Sequence, residues 1–192
     1  MKIPSRFFES HRCASKDSNR YQLEGVRFET KKNSKNVRIV ATDGVQMLVS
    51  DFDSESESEV DAAVTVGNGN CKDAIKLAKK GGVVEMTIEK TNTEDSARYE
   101  LKPGVNGSTL TGESVGIFPD YKSVIPTSAP VATLRVNPAV LKNALDAVIR
   151  AGNIGKNETV KIEFRDDATP IVLKSSNADG KTKALVMPMQ EK

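Results

Sequence analysis

Apolar and polar residues alternate along much of the chain, and this period of two predicts β-strands. In "RYQLEGVRFET" the alternation shifts by one residue at Gly25, which is typical of a β-bulge. The alternating apolar residues are Tyr21, Leu23, Val26 and Phe28. A turn-like "KKNSKN" and a second strand-rich run, "VRIVATDGVQMLVSDF", follow, with a break at Asp43-Gly44. This part of the chain is therefore predicted to be a β-hairpin.

Two later segments change to the helical period. In the first, about 70–80, Cys71, Ala74, Ile75 and Ala78 recur at helical spacing and a Gly-Gly pair follows. In the second, about 138–151, Asn137 and Pro138 fit an N-cap and a first helical position, and Gly152 ends the pattern. The apolar positions of this second stripe are Leu141, Ala144, Leu145 and Val148. Each segment is predicted to be an amphipathic helix.

The order of these elements repeats. Strand-like runs surround each helix, so that β-α-β-β-β units are predicted at roughly 62–115 and 131–190. The strand-rich piece before them resembles a third copy with little or no helix. Two unrelated α+β stretches are the alternative, but both the order and the helix placement recur. We predict an α+β fold with helices on one face of antiparallel sheets.

Composition narrows the class of protein. The 28 Lys and Arg residues against 26 Asp and Glu give a net charge of +2, which neither predicts nor excludes nucleic-acid binding. Cys13 and Cys71 fit no metal or redox spacing. No apolar run approaches the ~20 residues that span a bilayer, and "MKIPSRFFESHR" lacks a signal core. We expect a soluble, cytoplasmic protein with no membrane partner.

Candidate catalytic residues are sparse. His11 stands alone in a polar segment, and Asp43 and Asp120 are isolated carboxylates. The glycines of "VGNGN" lack the remainder of a phosphate-binding motif and fit a turn before a helix better. The sequence predicts no enzyme, no cofactor and no metal site.

Four segments together resemble the bacterial DNA polymerase III beta subunit, the sliding clamp. They are "RYQLEGVRFE…VRIVATDGVQML", "GIFPDYKSVIP", "LRVNPAVLKNAL" and "ALVMPM", in the same order as in that family's second and third domains. The resemblance identifies the chain as a shortened, divergent member with a DNA clamp fold. It implies that 1–128 correspond to the second domain, with a truncated first helix, and 129–192 to the end of the third.

The resemblance also implies partners. Family members close twelve such units into a ring around duplex DNA, with helices lining the hole, so the helices here are expected to face DNA without reading its sequence. The expected DNA-facing residues are Lys72, Lys76, Lys79, Lys80, Lys142 and Arg150. From the lysines alone, an ordinary solvated helix face explains them better.

A peptide-binding groove is the second implied site. In the family, polymerases, clamp loaders and repair proteins insert a short peptide into an apolar groove that the C-terminal Met-Pro-Met run helps to form. By motif, the groove residues here are Leu23, Thr42, Gly44, Met47, Pro119, Val124, Val140, Pro170, Leu185, Met187, Pro188 and Met189. Methionine suits a site that accepts varied partners. The alternative is that Leu185 and Met187 fill the core of a last strand.

Three positions depart from the family pattern: Val45 and Gln46 replace a usual His-Arg pair, and Ser123 replaces a basic residue.

The resemblance leaves two possible functions from different classes. The first is a processivity factor that encircles DNA as a homo-oligomer, for which three units per chain would require a tetramer. The second is a monomeric or dimeric peptide-binding module that modulates replication or repair without encircling DNA.

Overall fold

The computed structural model of the protein describes residues 1–79, 81–91, 96–104, 108–114, 117–155, 158–166, 168–175 and 182–189. The chain divides into two compact units, unit 1 (Met1–Val124) and unit 2 (Ile125–Lys192). The strands are β1 (Lys2–Pro4), β2 (Gly25–Thr30), β3 (Asn36–Thr42), β4 (Met47–Asp53), β5 (Ala62–Gly67), β6 (Val83–Lys90), β7 (Ala97–Pro103), β8 (Leu110–Ser114), β9 (Val160–Glu163), β10 (Ile171–Ser175) and β11 (Lys183–Val186); the α-helices are α1 (Asn68–Ala78) and α2 (Pro138–Ala151); the 3-10 helices are Ser5–Cys13, Ser18–Leu23 and Tyr121–Val124.

Unit 1 contains two antiparallel sheets that exchange their edge strands. Their orders are β1-β6-β7-β8 and β4-β3-β2-β5. The front half of the unit (β1 to β4) thus gives β1 to the rear half (β5 to β8) and receives β5 in return. The front half, predicted to have little or no helix, is a complete copy: a three-residue strand and the 3-10 helix Ser5–Cys13 precede β2.

The core of unit 1 lies between the helices and the inner faces of both sheets. From α1, Cys71 and Ala74 are fully buried, as the helical spacing predicts. From the 3-10 helix Ser5–Cys13, which packs on α1, Phe8 contacts Phe28 with ring centroids 5.0 Å apart. Burial raises the pKa of the Cys71 thiol to about 12, so this cysteine is a packing residue rather than a nucleophile.

The end of α1 depends on backbone conformation. After Ala78, Lys79 has φ 57° and ψ 175°, a region that glycine occupies far more readily than lysine. The chain then folds back so closely that a Cβ on Gly82 would lie 1.8 Å from the carbonyl oxygen of Ala78. The Gly-Gly stop predicted from the sequence is confirmed, and Gly82 is the member of the pair that packing requires.

The strand predicted at Tyr21 and Leu23 is wrong. These residues form the 3-10 helix Ser18–Leu23, whose start is capped by the Asp17 side chain accepting a hydrogen bond from the Asn19 amide. The expected bulge at Gly25 is also absent, because Gly25 pairs in regular register with Gly67. The offset in the sequence pattern instead marks the change from helix to strand.

Unit 2 has a three-stranded antiparallel sheet of order β11-β10-β9, with α2 packed on one face. The predicted cap is confirmed: Asn137 Oδ1 accepts from the amides of Ala139 and Val140 at 2.9 and 3.3 Å. The strand predicted over 131–136 is not formed, and the carbonyl of Arg135 accepts a hydrogen bond from the Met189 amide at 2.7 Å. None of the helices described is long and apolar enough to cross a membrane.

Candidate functional site

The turn between β3 and β4 is held by its own side chains. Thr42 Oγ1 donates to the Gln46 carbonyl at 2.6 Å and accepts from the Gly44 amide at 3.0 Å. Asp43 Oδ1 accepts from the amides of Val45 and Gln46, each at 2.9 Å, and these bonds hold the Asp43 pKa below its usual value. Gly44 has φ 88°, which favours glycine. The turn is therefore a fixed feature whose tip projects the side chain of Val45.

Strand register places this turn beside a particular sheet face. Pairing of Thr42 with Met47 and of Arg38 with Asp51 puts these residues on the face opposite the core residues Val37 and Ile39, because side chains alternate along a strand. We call this the outer face of the front sheet. Val40 shares that parity and is fully buried, so another part of the chain covers the middle of this face.

Residues 117–124 bind to the outer face of the front sheet. The Tyr121 hydroxyl donates to Glu29 Oε2 at 2.9 Å, and the Arg27 guanidinium lies 5.2 Å from the Phe118 ring centroid. Phe118 and Tyr121 pack edge to face at 6.2 Å. Burial would raise the Glu29 pKa, but hydrogen bonds from Arg27 and Tyr121 outweigh it and hold the pKa below normal.

The unit 1 groove candidates thus belong to elements that meet at this face. Thr42 and Met47 are half-buried on it, Gly44 lies at its end, and Leu23 ends the 3-10 helix before β2 and is buried. Pro119 and Val124 are exposed on either side of the Tyr121 anchor. The sequence did not predict this anchor, since no local pattern links Tyr121 to Glu29.

In unit 2, the end of the chain separates into inward and outward side chains. Val186 is 1% exposed in the core, whereas Leu185 and Met187 are 64% and 63% exposed. Buried and exposed side chains therefore alternate along this run. The alternative in which Leu185 and Met187 fill the core is wrong, because strand parity directs them away from α2.

The outward residues of unit 2 form one apolar row. Leu185 pairs directly with Val172, and continuing the same register places half-buried Pro170 opposite Met187. The groove residues predicted from the sequence did not include Val172. Its position two residues after Pro170 would have placed it on the same face of the strand. β11 ends before Met187, where Pro188, which has no N–H, cannot continue a ladder.

Two further unit 2 candidates, Met189 and Val140, are not part of that row. Met189 is 56% exposed and is held by its amide to the Arg135 carbonyl. Val140 is exposed in the first turn of α2, and α2 packs on the inward face of the sheet rather than with Leu185. The apolar row therefore consists of Pro170, Val172, Leu185 and Met187, with Met189 following it.

The basic candidates on α1 point to solvent. Lys72 and Lys76 are exposed opposite the buried stripe, Lys79 is exposed just after the helix, and none of the three takes part in an ion pair with another described residue. On α2, Arg150 is exposed, but Lys142 Nζ lies 3.8 Å from Asp146. The remaining candidate, Lys80, lies outside the described residues.

No group of three or more His, Cys, Asp or Glu side chains among the described residues is placed to hold a metal ion. His11 faces its own helix, with Nδ1 3.0 Å from the Phe8 carbonyl oxygen. The described residues thus include three distinct surfaces: an anchored face in unit 1, an apolar row in unit 2 and a lysine-rich helix.

Comparison with known proteins gives these surfaces a context. Residues 10–102 match the family model of the DNA polymerase III beta subunit, central domain. No curated protein matches the sequence. The family is that of a non-catalytic subunit, in agreement with the sequence prediction.

Solved sliding clamps have the same fold. The Bacillus subtilis clamp matches 99% of this chain and 49% of its own length, with a TM-score of 0.76 and 19% identity. The Caulobacter (C. crescentus) clamp, solved with polyethylene glycol at a putative tethering region, matches 100% of this chain and 50% of its own length. Its TM-score is 0.75 and its sequence identity is 22%. The Helicobacter pylori clamp bound to a DNA ligase peptide matches 98% of this chain and 50% of its own length, with a TM-score of 0.68 and 12% identity.

The chain spans about half the length of these clamps. Its α+β architecture and its bacterial clamp resemblance, both predicted from sequence, are confirmed. Residues 10–102 thus match the central domain of the DNA polymerase III beta subunit, and the chain as a whole has a sliding clamp fold.

Proposed function

We propose that this protein is a sliding clamp-like processivity factor that acts in the cytoplasm, tethers a DNA polymerase to duplex DNA and binds partner peptides in an apolar groove. The apolar row of unit 2 is the observation that carries the proposal. Leu185 and Met187 are large, exposed and adjacent to Pro170 and Val172, and clustered exposed apolar side chains mark interaction surfaces. The match of residues 10–102 to the central domain of the DNA polymerase III beta subunit supports a partner peptide as the ligand.

In this proposal the apolar row of unit 2 forms one wall of the peptide-binding groove. Residues 1–128 act as the family's second domain and 129–192 as the end of its third. The peptide-bound Helicobacter pylori clamp supports a peptide as the ligand. Polymerases, clamp loaders and repair proteins supply such peptides, which anchor by apolar side chains in preformed pockets. Val45 and Gln46 stand where the family usually has His-Arg. An acidic or polar anchor on a partner peptide is therefore held less well at this turn.

The helices provide the DNA-facing surface. Lys72 and Lys76 share the solvent side of α1 and Lys79 follows its end, so that their ammonium groups reach phosphates without reading bases. Binding of this kind weakens as salt rises, because it releases counterions from DNA.

A second function has its own support. On α2, Asp146 draws Lys142 into an ion pair, so this helix offers a weaker attraction to DNA than α1 does. A monomeric or dimeric peptide-binding module that modulates replication or repair would need the groove and not the basic helices.

Solution mass distinguishes the two. Light scattering of the full chain at several concentrations, with and without nicked circular DNA, is expected to show a multimer that stays on the circle. Linearising the DNA should release the multimer from its ends. A monomer that ignores both DNA forms would overturn the clamp function and leave the peptide-binding module.

A further inference from the structure

Three lysines line up across the sheet of unit 2, one on each strand. Lys174 of β10 pairs directly with Lys161 of β9 on one side and with Lys183 of β11 on the other. Neighbouring strands lie about 4.8 Å apart, so the three side chains leave the sheet side by side. Like charges that are directly opposite on a sheet are destabilising. This set, which we call the lysine row, therefore costs the fold stability.

One described carboxylate lies among these cations. Lys174 Nζ donates to Glu163 Oε1 at 2.8 Å, and Lys161 Nζ lies 3.3 Å from the same oxygen. The Arg165 guanidinium adds a further cation at 3.7 Å from Glu163 Oε2. The hydrogen bond from Lys174 is the main reason that the Glu163 pKa lies below its usual value. Together with Lys183, four cations surround a single anion, and the surface carries an excess of positive charge.

This excess is accessible to a partner. The side chains of Lys161 and Arg165 are 70% and 61% exposed. Lys183 is exposed and takes part in no ion pair with a described residue. Asp166, in the turn after β9, accepts hydrogen bonds from two amides of its own turn at 3.0 and 2.7 Å. Positive charge that the described carboxylates leave uncompensated thus faces solvent.

The lysine row adjoins the apolar row on the same face of the sheet. Val172 lies two residues before Lys174, and Leu185 lies two residues after Lys183, so their side chains project in the same direction. The helix α2 packs on the opposite face, against Leu173 and the rest of the unit 2 core. A ligand on the apolar row therefore lies beside the lysine row, whereas a ligand of α2 lies on the other side of the sheet.

We propose that the lysine row binds acidic residues that flank the apolar residues of a partner peptide. The inference rests on the proposed function, because the apolar residues of that peptide occupy the apolar row. Carboxylates of the peptide accept charge-assisted hydrogen bonds from Lys161 and Lys183 and offset the repulsion within the lysine row. The apolar row then holds any suitable peptide, and the lysine row selects among peptides by charge.

A peptide fits this surface better than duplex DNA does. Phosphates would meet the lysines but would leave the exposed side chains of Val172 and Leu185 without an apolar partner. An extended peptide advances about 3.4 Å per residue, so one short segment reaches both Leu185 and Lys183. The Glu163 carboxylate in the middle of the surface also repels a continuous run of phosphates, whereas a peptide can place its acidic residues to either side.

Fluorescence anisotropy of the full chain with matched peptides tests the contact. The probe is the DNA ligase peptide of the kind bound by the Helicobacter pylori clamp, used alone or extended at one end by three glutamates or three glutamines. Both ends are tested in turn. At low salt the better glutamate form is expected to bind at least tenfold more tightly than its glutamine counterpart. The difference should shrink as salt rises, because exposed charges are screened.

Lys161→Glu with Lys183→Glu should remove that preference. Glutamates would then flank Lys174, and opposite charges across strands are favourable, so the variant should melt no lower than the wild type. Its affinity for the glutamate form should fall at least tenfold, and its affinity for the unextended peptide should not change, because the lysines contact only the added carboxylates. Lys31→Glu with Lys32→Glu, in the exposed β2–β3 turn, matches the change in net charge and should keep the preference.

Failure of this inference differs from failure of the proposed function. Equal binding of the glutamate and glutamine forms to the wild-type chain would overturn the inference and leave the peptide-binding groove standing. If no form of the peptide binds, the groove itself is overturned, and the inference with it. A double variant that loses affinity for duplex DNA but not for the glutamate form would assign the lysine row to nucleic acid and would also overturn the inference.

Discussion

At the scale of single residues, Lys79 combines an exposed ammonium group with a backbone conformation that suits glycine. We expect Lys79→Gly to increase the free energy of unfolding by about 1 kcal/mol, because a φ of 57° with a ψ of 175° is strained for any side chain. Chemical denaturation measures the change. Lys76→Gly, also exposed but inside α1, is the control and should lose about 1 kcal/mol. Losses in both variants would show that Lys79 is unstrained.

Tyr121 and Glu29 provide a second prediction at this scale. Because the pKa of Glu29 is lower in the folded protein, its carboxylate stabilises the fold at pH values above 4.5, the ordinary pKa of glutamate. That contribution is lost as the pH falls through the lowered pKa. Tyr121→Phe removes one of the hydrogen bonds responsible and should cost about 1 kcal/mol at pH 7. Urea melts should show a smaller loss of stability between pH 5 and pH 3 in the variant than in the wild type. An unchanged pH profile would mean that Glu29 does not depend on this hydroxyl.

At the scale of elements, α1 makes a prediction about charge. Lys72→Glu with Lys76→Glu should lower affinity for duplex DNA and flatten the dependence on salt, since about two phosphate contacts are lost. Lys31→Glu with Lys32→Glu, in the exposed β2–β3 turn, changes net charge equally and is the control. Fluorescence anisotropy across a salt series compares them. Equal losses in both pairs would indicate a general charge effect instead of contact by α1.

The end of the chain makes the corresponding prediction about the groove. Met187→Ala with Met189→Ala should weaken binding of a clamp-binding peptide roughly tenfold, because two exposed thioether side chains leave the surface. The melting temperature should change little, since neither side chain is in the core. Lys183→Ala, exposed in β11, controls for changes to the strand. Unchanged peptide affinity in the folded double variant would exclude this assignment.

Elements with a strong internal signal were predictable from sequence. The caps and apolar stripes of α1 and α2 depend on neighbours within four residues, and both helices appear where the spacing places them. The strand predicted over 131–136 is not formed, because a strand depends on pairing with distant residues that no local pattern reveals; the Arg135 carbonyl accepts a hydrogen bond from the Met189 amide instead of joining a ladder. β1 was missed for the converse reason: "KIP" has no pattern of its own and is a strand because β6 receives it.

The candidate site divides in the same way. Alternation in "ALVMPM" is local, so display of Leu185 and Met187 was within reach of the sequence. The attachment of Tyr121 to Glu29 joins residues 92 positions apart and has no local signature. The offset at Gly25 misled because a capped 3-10 turn and a bulged strand produce the same pattern of apolar residues.

For the whole molecule, the exchanged edge strands of unit 1 have a kinetic consequence. The meanders β2-β3-β4 and β6-β7-β8 close through short connections, whereas β1 must reach β6 across most of the unit, so this pairing is a late step. That step joins parts of one chain and is first order. Dilution during refolding should therefore leave the rate of this step unchanged.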